Sequence, residues 1–313
     1  MLPIEVRARS DGLPPTAGFD LTTYFQRLET RNLGRTLVYV PVTTTTMDVC
    51  RSLCDAIPGY SGITVVAARQ TAGRGRGSNA WISPEGTASF TFNYHLPSTS
   101  PLYRNPSWIQ HILAVAVCEA AKKLSGVQVR HAPIADRSKI QELPLRIKWP
   151  NDFYFNRAHK VGGILATCRA RDDLIEFIIG CGLNVSNEKP TVCLNDMLPD
   201  TAGSPSDVNG CGDSDRRDEN GGNPAHFRVR AENVYFFERR GHEEFAKKYY
   251  EHWLHSREDV VLKDQNNEKV VIRGLDEYGY LEVRSRASSK IFSVQDDGNT
   301  FDMMNGLIRA KRK

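Results

Sequence analysis

Hydrophobic and polar positions follow two different periods along the chain, and these periods divide it into strands and helices. Six stretches are rich in β-branched and aromatic residues and are bounded by Gly, Pro or Asn, so we predict strands there: 36–40, 63–68, 89–94, 146–148, 163–167 and 175–182. Apolar residues recur at helical spacing in three others: 46–56, 107–124 and 229–250. Thr45 or Thr46 and Ser107 are placed to cap the first two helices. We expect an α+β fold, a mixed sheet flanked by helices.

The pattern changes near residue 257, where short strands separated by turns follow the last predicted helix. The stretches 260–262, 269–273, 280–283 and 290–294 predict a small β-barrel. Before that helix, residues 199–225 are mostly Asp, Gly, Asn, Ser and Pro, a composition typical of a disordered surface insertion. We therefore predict a lead segment in residues 1–30, a large domain in 31–256 and a small β-barrel domain in 257–313.

Composition and charge exclude several classes of protein. Of the 313 residues, 40% are hydrophobic and 25% are charged, and the longest apolar run, 112–118, is far short of the roughly 18 residues of a membrane span. The net charge is +4 and the only terminal basic run is 311–313, so we expect neither a membrane nor DNA as partner. The seven cysteines include no C-x-x-C pair, which is typical of free, mostly buried thiols in a reducing compartment.

The most informative motif is the loop that runs from Gln70 to Gly77, Q-T-A-G-R-G-R-G, directly after a predicted strand. Glycines free the backbone N–H groups to wrap an anion, and the interleaved Arg74 and Arg76 add positive charge, so the loop suits a phosphate. A flexible linker or an RNA-binding segment has the same composition. The loop is neither a Walker A motif nor a dinucleotide fingerprint.

Three further motifs carry polar groups at strand ends. They are K-W-P-N-D at 148–152, K-V-G-G-I-L at 160–165 and G-C-G-L-N-V at 180–185. Lys148 and Lys160 could meet phosphate or carboxylate, and Asp152 could orient an amine. Taken singly, a salt-bridged turn and a solvated hairpin lysine explain the first two equally well. The run Thr43 to Thr46 fits either a helix N-cap or a site for a ureido ring. No metal-ligand spacing and no G-x-S-x-G motif occurs, so we expect neither a protein-held metal nor a hydrolase.

Taken together and in this order, T-T-T-T-M, Q-T-A-G-R-G-R-G with a following Trp, K-W-P-N-D, K-V-G-G-I-L and G-C-G-L-N-V resemble the biotin–protein ligase family. Within it the chain is similar to the catalytic part of the eukaryotic holocarboxylase synthetases, from about Phe19 to the D-G-N-T-F-D-M-M stretch that begins at Asp297. The resemblance implies a class II synthetase-like catalytic domain in 31–256 and an SH3-like barrel in 257–313. It also implies a ligase that activates biotin to biotinoyl-5′-AMP and transfers it to a lysine of an apo-carboxylase.

The resemblance assigns a role to each matching residue. Residues expected to bind biotin are Thr45, Thr46, Met47, Gln70, Arg74, Gly75, Arg76, Lys160 and Gly163. Residues expected to bind ATP are Arg74, Arg76, Trp81, Lys148, Asn151 and Asn184, with Trp81 stacked on adenine. The catalytic set implied is Arg76, Lys160, Asp152 and Lys148. Mg²⁺ would arrive on the ATP phosphates.

Partners and alternatives follow from the same resemblance. The implied acceptors are biotin-carrier domains of carboxylases, modified by a monomer or weak homodimer in the cytoplasm or the mitochondrion. The segment before the first strand is too short for a helix-turn-helix domain, so we expect no transcriptional role. The alternatives are a lipoate or octanoate ligase or transferase, whose family lacks the G-R-G-R-G loop, a nucleic-acid-binding module and a non-catalytic biotin-binding scaffold.

Overall fold

A computed structural model describes residues 5–7, 19–28, 30, 32–131, 145–188, 190–197, 232–296, 299–303 and 306–310. The predicted insertion at 199–225, most of the lead segment and the basic run 311–313 lie outside these residues. The domain boundaries predicted at 30/31 and 256/257 remain predictions.

The described residues form fifteen strands and five α-helices. The strands of the first sheet are β1 (Glu5–Arg7), β2 (Thr36–Thr43), β3 (Ile63–Arg74), β4 (Ala80–Ser83), β5 (Thr87–Pro97), β6 (Leu145–Lys148), β7 (Asp152–Phe155), β8 (His159–Arg171) and β9 (Leu174–Asn184). The helices are α1 (Leu21–Arg27), α2 (Thr46–Ala56), α3 (Pro101–Arg104), α4 (Trp108–His131) and α5 (Glu232–Tyr250). The second sheet consists of β10 (Asp259–Leu262), β11 (Glu268–Leu275), β12 (Leu281–Ser285), β13 (Ile291–Val294), β14 (Asn299–Asp302) and β15 (Leu307–Ala310).

The first sheet is mixed, as predicted. Its order is β1-β2-β3-β5-β9-β8-β7-β6, with β4 paired to β3 beside that path. β2 and β3 run parallel, with helix α2 as the connection between them, and the other pairs are antiparallel. The carboxyl ends of β2 and β3 therefore lie side by side, which brings the threonine run close to Gln70, the partner of Thr43 in the strand register.

Helices cover both faces of this sheet. Along β9 the side chains alternate between faces: Ile178 packs with Met47 and Cys50 of α2, while Phe177 and Ile179 belong to the core shared with α4 and α5. The capping predicted for α2 is confirmed, because Thr45 is its N-cap and accepts a hydrogen bond from the Met47 N–H. The buried strands and their helices thus form a rigid floor beneath the strand ends.

The second sheet has the order β13-β12-β11-β10-β15-β14. A small C-terminal sheet is confirmed; its closure into an SH3-like barrel remains a prediction. Its β11–β12 turn accepts hydrogen bonds from ring N–H groups of α4 and of the residue that follows β6. Trp108 donates to the Glu277 carbonyl at 2.8 Å, and His111 Nε2 and Trp149 Nε1 donate to the Gly279 carbonyl at 2.8 and 3.5 Å. These bonds fix the orientation of the second sheet.

All six strands predicted for the large sheet and all three predicted helices are present, mostly with longer bounds. The sequence pattern did not predict the strands β1, β4 and β7, which have only three or four residues each, or the short helices α1 and α3. Of the six described cysteines, five are buried and Cys168 is exposed. In the part of the chain that the structure describes, no helix combines the length and the apolar character that crossing a bilayer requires.

Candidate functional site

A cavity of about 380 Å³ opens at the strand ends of the large sheet. Every site residue predicted from the sequence lines it except Asn184: Thr45, Thr46, Met47, Gln70, Arg74, Gly75, Arg76, Trp81, Lys148, Asn151, Asp152, Lys160 and Gly163. Motifs that lie more than a hundred residues apart along the chain, from Thr45 to Gly163, thus converge on one space. A single binding site explains their occurrence better than separate surface turns do.

The Gly/Arg loop is one wall of the cavity and is an ordered hairpin. β4 turns back along β3, so that Gly73 faces Trp81 in the strand register. Within the loop, Gly75 N–H donates to the Asn79 carbonyl at 2.8 Å, and Gly77 adopts a left-handed conformation with φ of 62°. A side chain at Gly73 would lie 2.5 Å from the Trp81 carbonyl. These contacts explain why glycine occupies these positions, and they disfavour the flexible-linker interpretation.

The two arginines of the loop have acidic partners on opposite sides. Arg74 forms a two-pronged ion pair with Asp48 of α2, at 3.1 and 2.7 Å. Arg76 contacts the second sheet, where it donates to the main-chain carbonyl of Asp296 and lies 3.6 Å from its carboxylate. The bidentate geometry suits a guanidinium beside a carboxylate or a phosphate. Both arginines are therefore held at the mouth of the cavity by groups that an anionic ligand would replace or join.

Opposite the loop, two lysines flank one carboxylate. Asp152 Oδ1 lies 2.8 Å from Lys160 Nζ, and Asp152 Oδ2 lies 4.0 Å from Lys148 Nζ. The Lys148 side chain is only 14% exposed, and this burial lowers its pKa below the ordinary value for lysine although Asp152 opposes the shift. The result is a net positive cluster, with Lys148 largely buried and Lys160 partly exposed, that suits anionic ligands.

Glycines on β8 and β9 form the floor of the cavity and leave room for the side chains that pack over them. A Cβ at Gly163 would lie 3.2 Å from Asp152 Oδ1, and one at Gly182 would lie 2.5 Å from Trp81 Nε1. At Gly180 a Cβ would meet Met47 at 3.0 Å. The flat strand surface therefore allows Trp81 and Met47 to approach the sheet closely and to shape the two ends of the cavity.

A polar network occupies the end of the cavity nearest α2. Gln70 Oε1 accepts from the N–H and the hydroxyl of Thr46, at 2.8 and 3.2 Å. The Gln70 amide NH₂ donates to the Ser83 hydroxyl at 3.2 Å, and that hydroxyl contacts Ser89 at 2.5 Å. The orientation of the Gln70 amide is thereby fixed. Fixed donors and acceptors at one end of an otherwise half-apolar cavity suit a small polar ring.

Trp81, Asn151 and Asn184 differ from the other predicted residues. The Trp81 indole lies between Gly182 and Lys160, whose Nζ is 5.8 Å from the ring centre, and within the described residues its Nε1 is buried without a hydrogen-bond partner. Asn151 donates to the Ile164 carbonyl from a buried position. Asn184 donates to the Val192 carbonyl at 3.1 Å and does not line the cavity. The nucleotide-binding roles of all three remain predictions.

Several lining residues were not predicted. Gly180, Cys181 and Gly182 lie inside the G-C-G-L-N-V motif, so the motif itself was the signal. Phe301, from the D-G-N-T-F-D-M-M stretch, closes the cavity from the second sheet. Asp296 stands 220 positions from Arg76 in the chain, and no local pattern could have linked the two.

Comparison with known proteins agrees with this geometry. Residues 39–184 match the model of the Biotin/lipoate A/B protein ligase family. The human protein "Biotin--protein ligase" is 34% identical over 301 residues, which are 94% of this chain and 38% of the human protein. "Biotin--protein ligase 2" of Arabidopsis thaliana is 33% identical over 301 residues, and the match covers 94% of this chain and 83% of that protein.

A solved structure supports the fold. The biotin protein ligase of Aquifex aeolicus, solved in complex with biotin and ATP, superposes with a TM-score of 0.53 and 23% identity over 85% of this chain and 100% of that one. The chain spans only 38% of the length of its human relative but most of the Arabidopsis protein. With its five motifs gathered around one cavity and its similarity to the plant protein extending over nearly its whole length, the chain belongs to the biotin–protein ligase family.

Proposed function

We propose that this chain catalyses the ATP-dependent attachment of biotin to a lysine of an acceptor protein. The observation that carries the proposal is the cavity itself, in which Arg76, Lys148 and Lys160 surround one space that ends in the Thr46–Gln70 network. A vitamin with a ureido ring at one end and a carboxylate at the other matches this arrangement of polar groups and cations. The relatives whose names include biotin–protein ligase activity support the same assignment.

The first reaction joins two anions. A biotin carboxylate oxygen attacks the α-phosphorus of ATP, the bond to the bridging oxygen breaks, and pyrophosphate leaves. In this proposal Lys160 holds the carboxylate, Arg76 stabilises the charge that grows on the α-phosphate and Lys148 meets the other phosphates; their common position on one cavity supports these roles. Fixed cations in a desolvated site are the largest contribution that a protein makes to such a step. Mg²⁺ enters with the ATP phosphates in this proposal.

The second reaction transfers the acyl group. The neutral amine of an acceptor lysine attacks the acyl carbon of biotinoyl-5′-AMP, AMP leaves with the bonding electron pair, and the amine loses a proton. We assign the orientation of the amine to Asp152; its contact with one ammonium, that of Lys160 at 2.8 Å, supports this role. Lys160 then stabilises the acyl oxygen. The Gly/Arg hairpin shields the mixed anhydride from water until the acceptor binds.

The partners and the compartment are part of the proposal. We assign biotin-carrier domains of apo-carboxylases as acceptors, as for holocarboxylase synthetases, and a monomer or weak homodimer as the active form. Free thiols persist in reducing compartments, and the six described cysteines are all unpaired. The cytoplasm is therefore the first location to test and the mitochondrion the second.

Pyrophosphate exchange tests the proposal directly. Purified protein with Mg-ATP and radiolabelled pyrophosphate should form radiolabelled ATP when biotin is added. In a second assay the protein should attach biotin to one lysine of a carboxylase biotin domain. Lipoic and octanoic acids, added in parallel, test the related ligases. Exchange driven by lipoate and not by biotin would overturn the assignment, and binding of biotin with neither exchange nor transfer would identify a non-catalytic binding protein.

A further inference from the structure

The backbone that carries Lys148 and Asp152 is held by a histidine from the other end of the large domain. Strand β6 has a short parallel neighbour in residues 252–254. Ile147 N–H donates to the His252 carbonyl at 2.8 Å, and Leu254 N–H donates to the Ile147 carbonyl at 3.0 Å. The next donor in this ladder is Trp149 N–H, which belongs to the K-W-P-N-D motif.

The regular acceptor for Trp149 N–H would be the Leu254 carbonyl, but that oxygen accepts a hydrogen bond from Arg157 Nη1 at 2.8 Å. Trp149 N–H donates instead to His255 Nε2 at 3.1 Å. A side chain thus replaces a main-chain carbonyl at the position where the strand turns into Pro150, Asn151 and Asp152. The imidazole sets both the position and the direction of that turn.

The remaining contacts fix the tautomer of His255. Its Nε2 accepts, so its Nδ1 carries the proton and donates to Glu258 Oε2 at 2.8 Å. Arg157 pairs with the same Glu258 carboxylate. His255 is completely buried, and its ring lies 4.5 Å from that of Phe301, a residue of the cavity wall. One imidazole therefore contacts the Lys148–Asp152 turn on one side and the wall from the second sheet on another.

We infer that His255 is a positioning residue for the proposed reaction, acting through the Trp149 N–H to place Lys148 and Asp152. The inference rests on the proposed function, because the effect is expected in the ligase reactions. Biotin's polar ring is assigned to the Thr46–Gln70 end of the cavity, which His255 does not touch. Loss of the imidazole acceptor should therefore reduce the rate of the chemical steps more than the affinity for biotin.

The test compares three variants of the full chain. His255→Phe keeps an aromatic ring and removes the acceptor; His255→Gln keeps an acceptor at similar reach. His111→Phe is the matched control, since His111 is equally buried and also bonds to a main-chain group, the Gly279 carbonyl, away from the cavity. Steady-state pyrophosphate exchange gives kcat and KM for biotin and for ATP, and thermal melting gives stability.

We expect His255→Phe to lower the kcat of exchange about 10- to 100-fold, the effect of moving catalytic groups by a fraction of an ångström to an ångström. Its KM for biotin should stay within about twofold of the wild-type value. His255→Gln should recover most of the rate, and His111→Phe should lose stability while its kcat falls far less than that of His255→Phe. A wild-type kcat in His255→Phe, an equal loss of kcat in His111→Phe, or no recovery in His255→Gln would each overturn the inference.

Two provisions keep the test decisive. If His255→Phe does not fold, Glu258→Ala removes the group that fixes the imidazole, from a side chain that is 23% exposed. That variant should lower kcat in the same direction, and an unchanged kcat would refute the positioning role. Absence of exchange in the wild-type protein with biotin would instead refute the proposed function, so the two failures are distinguishable.

Discussion

Arg76 of the Gly/Arg hairpin and Asp296, two residues after β13, connect the hairpin wall of the cavity to the second sheet. The guanidinium donates to the Asp296 carbonyl and faces its carboxylate at 3.6 Å. Gln110 of α4 donates to the same carboxylate at 3.0 Å. The arginine proposed to meet the α-phosphate is therefore positioned by residues from the second sheet and from a helix that lies outside the cavity.

Removal of this carboxylate should loosen the hairpin. We expect Asp296→Ala to lower the kcat of pyrophosphate exchange by on the order of tenfold, because Arg76 loses its charged partner and is then held only by its bond to the main-chain carbonyl of residue 296. More AMP should be released per lysine modified, since a loose hairpin admits water to the mixed anhydride. The measurement is the ratio of AMP to biotinylated acceptor. Glu282→Ala is the control: it removes an acidic residue from the same sheet whose partner Arg273 is 43% exposed, and it should leave the ratio unchanged.

Loss of one lysine of the charged cluster should slow the first reaction. Lys160→Met should lower the kcat of exchange by roughly 10²- to 10³-fold, the usual effect of removing one group that stabilises developing charge. Asp152 would also lose its partner at 2.8 Å. Lys263→Met, which removes an exposed lysine of the second sheet, should behave as wild type. Equal rates for the two variants would remove Lys160 from the catalytic set.

A methyl group on the cavity floor should obstruct the ligand. In Gly182→Ala the new Cβ would lie 2.5 Å from Trp81 Nε1 and 2.9 Å from Trp81 Cε2, so the indole must move into the cavity. We expect about a tenfold higher KM for ATP, whose adenine is assigned to Trp81, and this corresponds to about 1.4 kcal/mol of lost binding. Gly274→Ala, in β11 of the second sheet, creates a clash of the same size with Tyr250 of α5. It should lower the melting temperature and leave the KM for ATP unchanged; a higher KM in both variants would indicate a global effect.

Acid should destabilise the fold through two buried histidines. Burial is the main cause that lowers the pKa of His111 to about 4 and that of His255 to about 3, from 6.5. Below pH 6.5 the unfolded chain therefore binds protons that the folded chain does not, so stability is complete above that pH and falls as the pH decreases toward the folded values. At pH 5 each histidine should cost up to about 2 kcal/mol.

Urea unfolding between pH 7.5 and 5 measures this dependence. The free energy of unfolding should decrease as the pH falls, and the decrease should be smaller in His111→Phe and in His255→Gln, which lack one titrating group each. A variant that shows the wild-type slope would contradict the assignment for its histidine.

The sequence predicted the floor of the site better than its walls. Stretches rich in β-branched and aromatic residues located β3, β8 and β9, and the resemblance to the biotin–protein ligase family implied that Gln70, Lys160 and Gly163 share one site. The contacts of Asp296 and Phe301 could not be predicted from the sequence pattern, since they depend on how the second sheet packs against the first. The role inferred for His255 was hidden for a similar reason: W-L-H-S at 253–256 contains no periodic signal, and its importance lies in one hydrogen bond to a distant strand.

The β11–β12 turn described above sets a limit on how this protein can be shortened or recombined. Three ring N–H groups, from Trp108, His111 and Trp149, rely on two carbonyl oxygens of the turn at Glu277 and Gly279. A fragment that stops near residue 256 would leave these three donors without their carbonyl acceptors. A C-terminal module taken from another protein would have to present carbonyl groups at the same positions. In protein engineering the two sheets should therefore be kept together as one structural unit. Fusion partners and cut sites should not be introduced between them.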